Sequence, residues 1–438
     1  MARFHAFSWY SLWLLFGALL YRAGAIEIDV NDADSIKNAA SVLAHGVMDY
    51  YDGNQTDGTI GKFTWPYYWW ESGAAWGSLL DYWFYTGDTS FNQILTDALL
   101  GNVGPNNDYM PETEVMTEGN DDQAFWGFAI MAAAERNYTS PPSGQPQWQN
   151  LSETVFWSMA DRWDTSSCNG GLRWQIFEFN NGYDYKNTIS NAGLFLMAAR
   201  LARYTANATY IDWAERIWDW VEGVGLMDTE YYYFYDGASV STNCTRITRY
   251  QWSYNAACFL AGSAYLYNMT VSDVWRDRTQ NILDGLRVFF DDNSGGVMFE
   301  VACERTQRCN TDMQSFKAYL SRFMGLTAIL APWTYDRIYE SLVNTVVNGV
   351  SHSCTGGHDG VTCGTTWLAQ GWDNTSGLGQ QMTALETVQN LLISQVPAPY
   401  TAEMFISAAE RISGGCIGSW IFYLMLIIPM AVSWLILD

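Results

Sequence analysis

Histidine is nearly absent from this chain: His5, His45, His352 and His358 are the four in 438 residues. No two stand at a metal-ligand spacing, and there is no HExxH, no GxSxG and no phosphate-binding glycine loop. These absences weigh against zinc hydrolases, serine hydrolases and nucleotide-dependent enzymes. Basic residues are also few, with 22 Lys and Arg against 46 Asp and Glu, a net charge of −24. Such a surface repels nucleic acid and other polyanions, so no nucleic-acid partner is expected; a neutral substrate is compatible. No Pro/Gly/Ser-rich linker or charge run divides the chain, and Thr139 to Pro146 reads as a helix connection, so one domain accounts for it.

Aromatic residues, by contrast, make up 16% of the sequence. Flat rings pack in cores, and they also stack on the C–H faces of sugars, so the composition suits a carbohydrate groove as well as a large interior.

The two ends read as processing signals. Residues 1–25 hold Arg3, an apolar run from Phe7 to Leu20 and the small residues Ala23-Gly24-Ala25, the pattern of a secretory signal peptide. Residues 413–438 begin with Ser413-Gly414-Gly415 and continue into an apolar stretch, Trp420 to Leu437, with no basic stop. Small residues before such a tail mark a GPI site at Ser413, while the tail's length also suits a transmembrane anchor. Either way the expected location is the secretory pathway and the outer face of the plasma membrane or cell wall. Sequons at Asn54, Asn137, Asn150, Asn207, Asn243, Asn268 and Asn374 fit that route. Export makes disulfides the default. Cys303 with Cys309 and Cys354 with Cys363 would close small loops, leaving Cys168 with Cys244. Cys258 sits in an apolar helical stretch as a buried thiol, and Cys416 falls in the tail.

The stretch 26–412 reads as paired helices. Tyr210, Trp213, Ala214, Ile217, Trp220 and Val221 recur at i, i+3, i+4 and i+7, one apolar face of a helix laid on a core. The preceding segment, about Asn187 to Tyr204, is apolar nearly all round, the mark of a helix surrounded by others. The alternation recurs: all-round apolar helices begin near Trp70, Asp121, Asn187, Tyr250, Ser315 and Gly379, and one-sided partners near Thr89, Gln149, Ala208, Asp273 and Thr334. The helix from Asp34 to Tyr50 supplies the sixth partner. Six inner and six outer helices predict an all-α (α/α)6 barrel. In it the first turns of the inner helices line a common cleft; they read WWES, NDDQ, YKNTISN, YQWSYN, MQSFK and GLGQQ.

Asp121 and Asp122 open the second inner helix. Cutting a glycosidic bond generally takes two carboxyl groups, one to protonate the leaving oxygen and one to attack the sugar or activate water. Consecutive helical residues splay by about 100°, which places two such carboxyls roughly 5–6 Å apart, suited to retaining attack. The simpler explanation is helix capping, with Asn120 as N-cap and two acids favoured by the helix dipole. Two facts favour chemistry: the helix is apolar behind the acids, and Trp69, Trp70 and Trp126 surround them rather than lysines. One carboxylate should then stay ionised and attack while its like-charged neighbour holds a proton.

The strings GNDDQAFWGFAIMAAAE (119 to 135), YYWWESG (67 to 73), GGLRWQIF (170 to 177), YDYKNTISN (183 to 191) and LARYT (201 to 205) resemble glycoside hydrolase family 76. The likeness is in particular to its fungal branch of GPI-anchored mannan endo-1,6-α-mannosidases acting in cell-wall biogenesis. The resemblance implies an (α/α)6 barrel, endo-acting cleavage of α-1,6-mannosidic linkages with retention, and no metal or other cofactor. Carried over, Asp121 is the nucleophile and Asp122 the acid/base. Positionally, Asn120, Trp126, Tyr185, Asn191 and Asn255 are expected around the reacting sugar, with Trp69, Trp70 and Trp174 as stacking platforms; for each Trp, packing is the alternative. Lys186 and Lys317 are expected to offset nearby acids, and Glu71 to be a first-turn acid. Two other functions remain open: a transglycosidase moving mannose-containing GPI glycans of wall proteins onto wall polysaccharide, and a non-catalytic mannan-binding surface protein. The last has no need of an intact carboxylate pair.

Overall fold

The structure, a computed structural model, describes residues 26–55 and 58–404. The expected signal peptide, Ser413, Cys416 and the apolar tail lie outside the described residues. Twelve helices of ten residues or more are present among the described residues: α1 (Ala33–Met48), α2 (Trp69–Thr86), α3 (Asn92–Gly101), α4 (Asn120–Glu135), α5 (Trp148–Ala160), α6 (Thr188–Thr205), α7 (Ala208–Val224), α8 (Ser253–Thr270), α9 (Asp273–Gly285), α10 (Phe316–Leu330), α11 (Tyr335–Thr345) and α12 (Leu378–Gln389).

The even-numbered helices form the inner ring. Each packs on the next, from α2 to α4, α6, α8, α10 and α12, and α12 returns to α2. The odd-numbered helices pack outside them, α1 covering α12 and so closing the circle. The two sequence types explain the two layers. In α6 and α12 every residue but Thr205 is buried, and α4 is buried throughout except Asp121 and Asp122. The outer α7 buries Tyr210, Ala214, Ile217, Trp218, Trp220 and Val221 along one face. Full burial of a side chain the size of Ile217 or Val221 contributes about 1.5–3 kcal/mol. This is the (α/α)6 barrel expected from the repeat.

Among the described residues, strand structure, which the repeat did not suggest, is confined to short pieces between helices. β1 (Tyr185–Asn187), β2 (Tyr235–Ser239) and β3 (Ile247–Gln251) form an antiparallel sheet in that order, with Tyr185 opposite Ser239 and Asn187 opposite Gly237. β4 (Phe290–Asp291) and β5 (Val297–Met298) form a second pair. The three-stranded sheet stands beside the rim where the inner helices begin, because β1 runs directly into α6.

At the opposite rim the inner helices end in buried charge. Arg322 Nη2 lies 2.7 Å from Glu386 Oε1 and donates to Ser78 Oγ at 2.7 Å. Arg136 pairs with Asp81, and Arg200 Nη2 lies 2.7 Å from Glu135 Oε2, which also accepts from Tyr265. These groups close the barrel floor. Removing one partner leaves a buried charge uncompensated, at a cost of roughly 3–5 kcal/mol.

Three disulfides join Cys168 to Cys244, Cys303 to Cys309 and Cys354 to Cys363, and Cys258 is a buried free thiol.

Candidate active site

A cleft of about 580 Å³ opens at the rim where the inner helices start. Its lining comes from the starts of five inner helices: Trp69 and Trp70, then Asp121, Asp122 and Phe125, then Tyr185 and Asn187, then Tyr254, and Asp312 with Phe316. The start of α12 does not line it; Gln380 and Gln381 there are buried instead. The remaining walls include the loop residues Glu114, Glu118, Trp174 and Gln175 and, from β2, Asp236. Helix N-termini carry partial positive charge, and several converging on one rim help offset an acidic lining.

The helix bearing the paired acids starts one residue earlier than the capping explanation supposed. Gly119 is the N-cap of α4, and Asp122 Oδ2 accepts from its backbone N–H at 2.7 Å. Asp121 Oδ2 accepts from Asn187 Nδ2 at 3.1 Å, while Asp121 Oδ1 is enclosed and has no hydrogen-bond partner. Asn187 is itself the N-cap of α6, its Oδ1 accepting from Ser190 N. One side chain therefore ends a strand, starts a helix and grips the first aspartate. Gly119 must be glycine for a steric reason: a Cβ there would collide with Asp121 Oδ1 and stand 3.0 Å from Trp174 O.

Burial lifts both carboxyls. For Asp121 it is opposed by hydrogen bonds from backbone and Asn187 and helped by the charge of Asp312, leaving the group at about 7. For Asp122, burial acts together with the charge of Asp121, and the carboxyl is raised well above its ordinary range. The first aspartate thus ionises before the second, as like-charged neighbours in a dry site must.

Two more carboxylates steady the aromatic walls. Trp70 Nε1 donates to Asp312 Oδ1 at 3.2 Å, and Asp236 accepts from Tyr185 Oη at 2.5 Å and Trp252 Nε1 at 2.8 Å. Trp174 is 38% exposed, which leaves ring surface free for a ligand. A Cβ on Gly182, whose φ is +104°, would run into the Trp174 ring, so a bare backbone supports the indole there.

Of the expected sugar contacts, Trp69, Trp70, Trp174 and Tyr185 line the cleft, although Trp69 is largely buried, its Nε1 donating to Asn102. Asn120, Trp126, Asn191 and Asn255 do not line it. Asn120 is turned away, taking a bond from Arg162 Nε at 2.8 Å and giving one to Arg173 O at 2.9 Å. Trp126 is wholly buried between Trp69 and Tyr109. Asn191 ties the 172 loop to α6 through Leu172 N, Leu172 O and Asn187 O. Asn255 is buried in α8, its amide without a partner. Sequence reasoning missed Asn187, Asp236, Asp312, Tyr254, Phe316, Phe125 and Glu118. For Phe125 a signal existed: three and four residues beyond the acids, it shares their helix face.

Other expected roles are structural. Lys186 Nζ donates to the carbonyls of Asp164, Ser167 and Gly170, and lies 3.2 Å from Asp164 Oδ2. Lys317 lies 2.7 Å from Glu304. Glu71 accepts from Tyr68 N in a first-turn capping box. No group of three or more metal-binding side chains occurs among the described residues.

The sequence profile of glycosyl hydrolase family 76 matches residues 35–403. The chain is 51% identical over 398 residues to mannan endo-1,6-alpha-mannosidase DCW1 of Candida albicans, covering 90% of this chain and 88% of that one. It is 53% identical over 380 residues to the protein of the same name from Saccharomyces cerevisiae, covering 86% and 84%. Among solved structures, Dfg5 of Chaetomium thermophilum in complex with glucosamine superposes with a TM-score of 0.82 at 43% identity, over 86% of this chain and 94% of that chain. An α-1,6-mannanase of a Salegentibacter species superposes with a TM-score of 0.66 over 82% and 99%; at 16% identity it speaks for the fold.

Proposed function

The chain belongs to glycosyl hydrolase family 76, and we propose that it is an endo-acting, retaining glycosidase of α-1,6-linked mannan in the fungal cell wall, with Asp121 as nucleophile and Asp122 as acid/base. The observation that carries these roles is the asymmetry of the pair. Asp121 has one oxygen gripped by Asn187 and one enclosed and unpartnered, and it ionises first. Asp122, anchored to Gly119 N–H, holds its proton longer.

The chemistry follows from that asymmetry. Asp122 gives its proton to the glycosidic oxygen as the Asp121 carboxylate bonds the anomeric carbon and the carbon–oxygen bond breaks. A glycosyl ester on Asp121 results, with Asp122 now a carboxylate. Water then gives a proton to Asp122 while its oxygen bonds the anomeric carbon and the ester breaks. Two inversions leave the configuration unchanged. Trp174, Tyr185 and Trp70 offer ring surface to the sugars.

A second reading, in which a sugar hydroxyl replaces water, has its own support. Glu114, Glu118, Asp121, Asp122, Asp236 and Asp312 line the cleft and no Lys or Arg does. Such a lining offers carboxyl groups to the hydroxyls of an acceptor sugar, and the Chaetomium thermophilum relative is in complex with glucosamine, a sugar.

The proposed location is the outer face of the plasma membrane, reached by secretion and held by a lipid anchor. All seven sequon asparagines are exposed, in keeping with glycosylation on that route. Near the end of the described chain, Arg203 Nη1 donates to Pro399 O and Tyr400 N donates to Glu135 O, both at 2.7 Å. Those contacts are on the barrel floor, the end of the barrel opposite the cleft.

The test is kinetic. Asp121→Asn and Asp122→Asn, assayed on α-1,6-mannooligosaccharides, should each lose about 10²–10⁴-fold in kcat. NMR of the first product should show the α anomer. Undiminished turnover in both variants contradicts the assignment.

A further inference from the structure

On the reading that Asp121 and Asp122 are the reacting pair, we propose that Glu118 contacts substrate in the half of the cleft that holds the leaving group and the acceptor, its carboxyl hydrogen-bonding a sugar hydroxyl there. Glu118 lines the cleft and is 2% exposed, yet both of its carboxyl oxygens lack a hydrogen-bond partner. A buried polar group left unpaired is costly, and the side chain cannot easily leave. Its backbone is fixed by the bond from Ile176 N to Glu118 O, and the next residue, Gly119, is the cap of α4. The nearby guanidinium of Arg162 forms no ion pair with it; that group instead donates to Asn120, Gln123 and Ser158. What the carboxyl lacks, a bound sugar supplies.

The side of the cleft follows from its neighbours. Asp122, but not Asp121, is among the charges acting on Glu118, and the Asp122 carboxyl is held by the N–H of Gly119, the residue next to Glu118; Asp312 acts on both aspartates. Asp122 handles the proton of the departing oxygen, so the sugar on its side is the leaving group in the first step and an acceptor in the second. Burial, then the charge of Asp122, lifts the Glu118 carboxyl to about 9. At neutral pH it therefore carries a proton and can both donate to and accept from hydroxyls. A sugar held this way is placed to give its hydroxyl proton to Asp122 as its oxygen bonds the anomeric carbon and the Asp121 ester breaks. Glu118 thus biases the enzyme towards a sugar over water.

The test compares Glu118→Gln and Glu118→Ala on an aryl α-1,6-mannobioside, whose leaving group has no sugar hydroxyl, and on α-1,6-mannotetraose. The expected loss in kcat/KM is about tenfold greater on mannotetraose for Glu118→Ala, and smaller for Glu118→Gln, whose amide can still donate and accept. With α-1,6-mannobiose as added acceptor, the ratio of transfer to hydrolysis should fall in the same order. Calorimetric titration of mannobiose into Asp121→Asn, with and without Glu118→Ala, should show about tenfold weaker binding in the double variant; this readout survives even where turnover is lost. Equal losses on both substrates with unchanged partition, or unchanged mannobiose affinity, overturn the inference. Full activity of Asp121→Asn breaks the underlying reading instead, so the two failures are distinguishable.

Discussion

Asn187 Nδ2 stands 3.1 Å from Asp121 Oδ2, across two inner helices that are 66 residues apart at these positions. Because Asn187 is also the N-cap of α6, the orientation of Asp121 is set by the same group that starts the neighbouring helix. The start of α6 and the orientation of Asp121 are therefore linked through one amide.

Asn187→Ala should lower kcat by about 10- to 100-fold, the worth of a hydrogen bond to a charged group at roughly 1.5–3 kcal/mol. Loss of the cap should also lower stability by about 1 kcal/mol. Asn187→Asp removes the donor and adds a like charge beside Asp121, so its activity should fall further. Steady-state kinetics with thermal denaturation of both variants checks this; unaltered kcat in Asn187→Ala contradicts it.

Gly119→Ala should cost activity with little loss of fold. The backbone at Gly119 is ordinary (φ −92°, ψ 164°), so the penalty comes from the clash with Asp121 Oδ1 and Trp174 O. Displacing Asp121, the proposed nucleophile, by about 1 Å corresponds to roughly 10²-fold in rate. A circular dichroism spectrum like that of the wild type together with reduced kcat is the expected result.

Stability should decline as pH rises from about 5 to 8. Glu300, which accepts from Ser253 N and Oγ at the start of α8, is raised by burial from 4.5 to about 8; Glu118 and Asp121 are raised as well. Raised acids bind more protons in the folded than in the unfolded chain, so their contribution is complete below the unfolded pKa and lost as pH climbs through the folded one. Calorimetry at pH 5 and pH 8 should give the higher Tm at pH 5, and Glu300→Gln should shrink the difference. A higher Tm at pH 8 contradicts this assignment.

Removing the Cys168–Cys244 bridge should loosen one wall of the site. It spans 76 residues and borders the 164–170 loop, whose carbonyls Lys186 gathers on the strand that leads to Asn187. Cys168→Ser with Cys244→Ser should cost about 2–5 kcal/mol, read by denaturant unfolding, and lower kcat. Equal stability of the double variant and the wild type contradicts this.

The architecture was legible because inner and outer helices have different apolar patterns, as α6 and α7 show side by side. The acid pair was legible because it heads a helix that is apolar behind it. The sugar contacts were less so. Asn191 and Asn187 both lie in the string YKNTISN, and composition gives no means of telling the residue that grips Asp121 from the one a turn later that pins a loop. Trp126 was expected beside the reacting sugar but faces Trp69 and Tyr109 in the interior. Asp236 and Asp312 come from a strand and a short 3₁₀ turn far from the acid pair in sequence, and reach it only because the ring closes.

The account rests most directly on Asp121 bonding the sugar. Incubation with an activated 2-deoxy-2-fluoro-α-mannosyl substrate, followed by proteolysis and mass spectrometry, should find the mannosyl adduct on Asp121, and Asp121→Asn should carry none. An adduct on Asp122, or a variant at Asp121 that still becomes labelled and turns over, would contradict it.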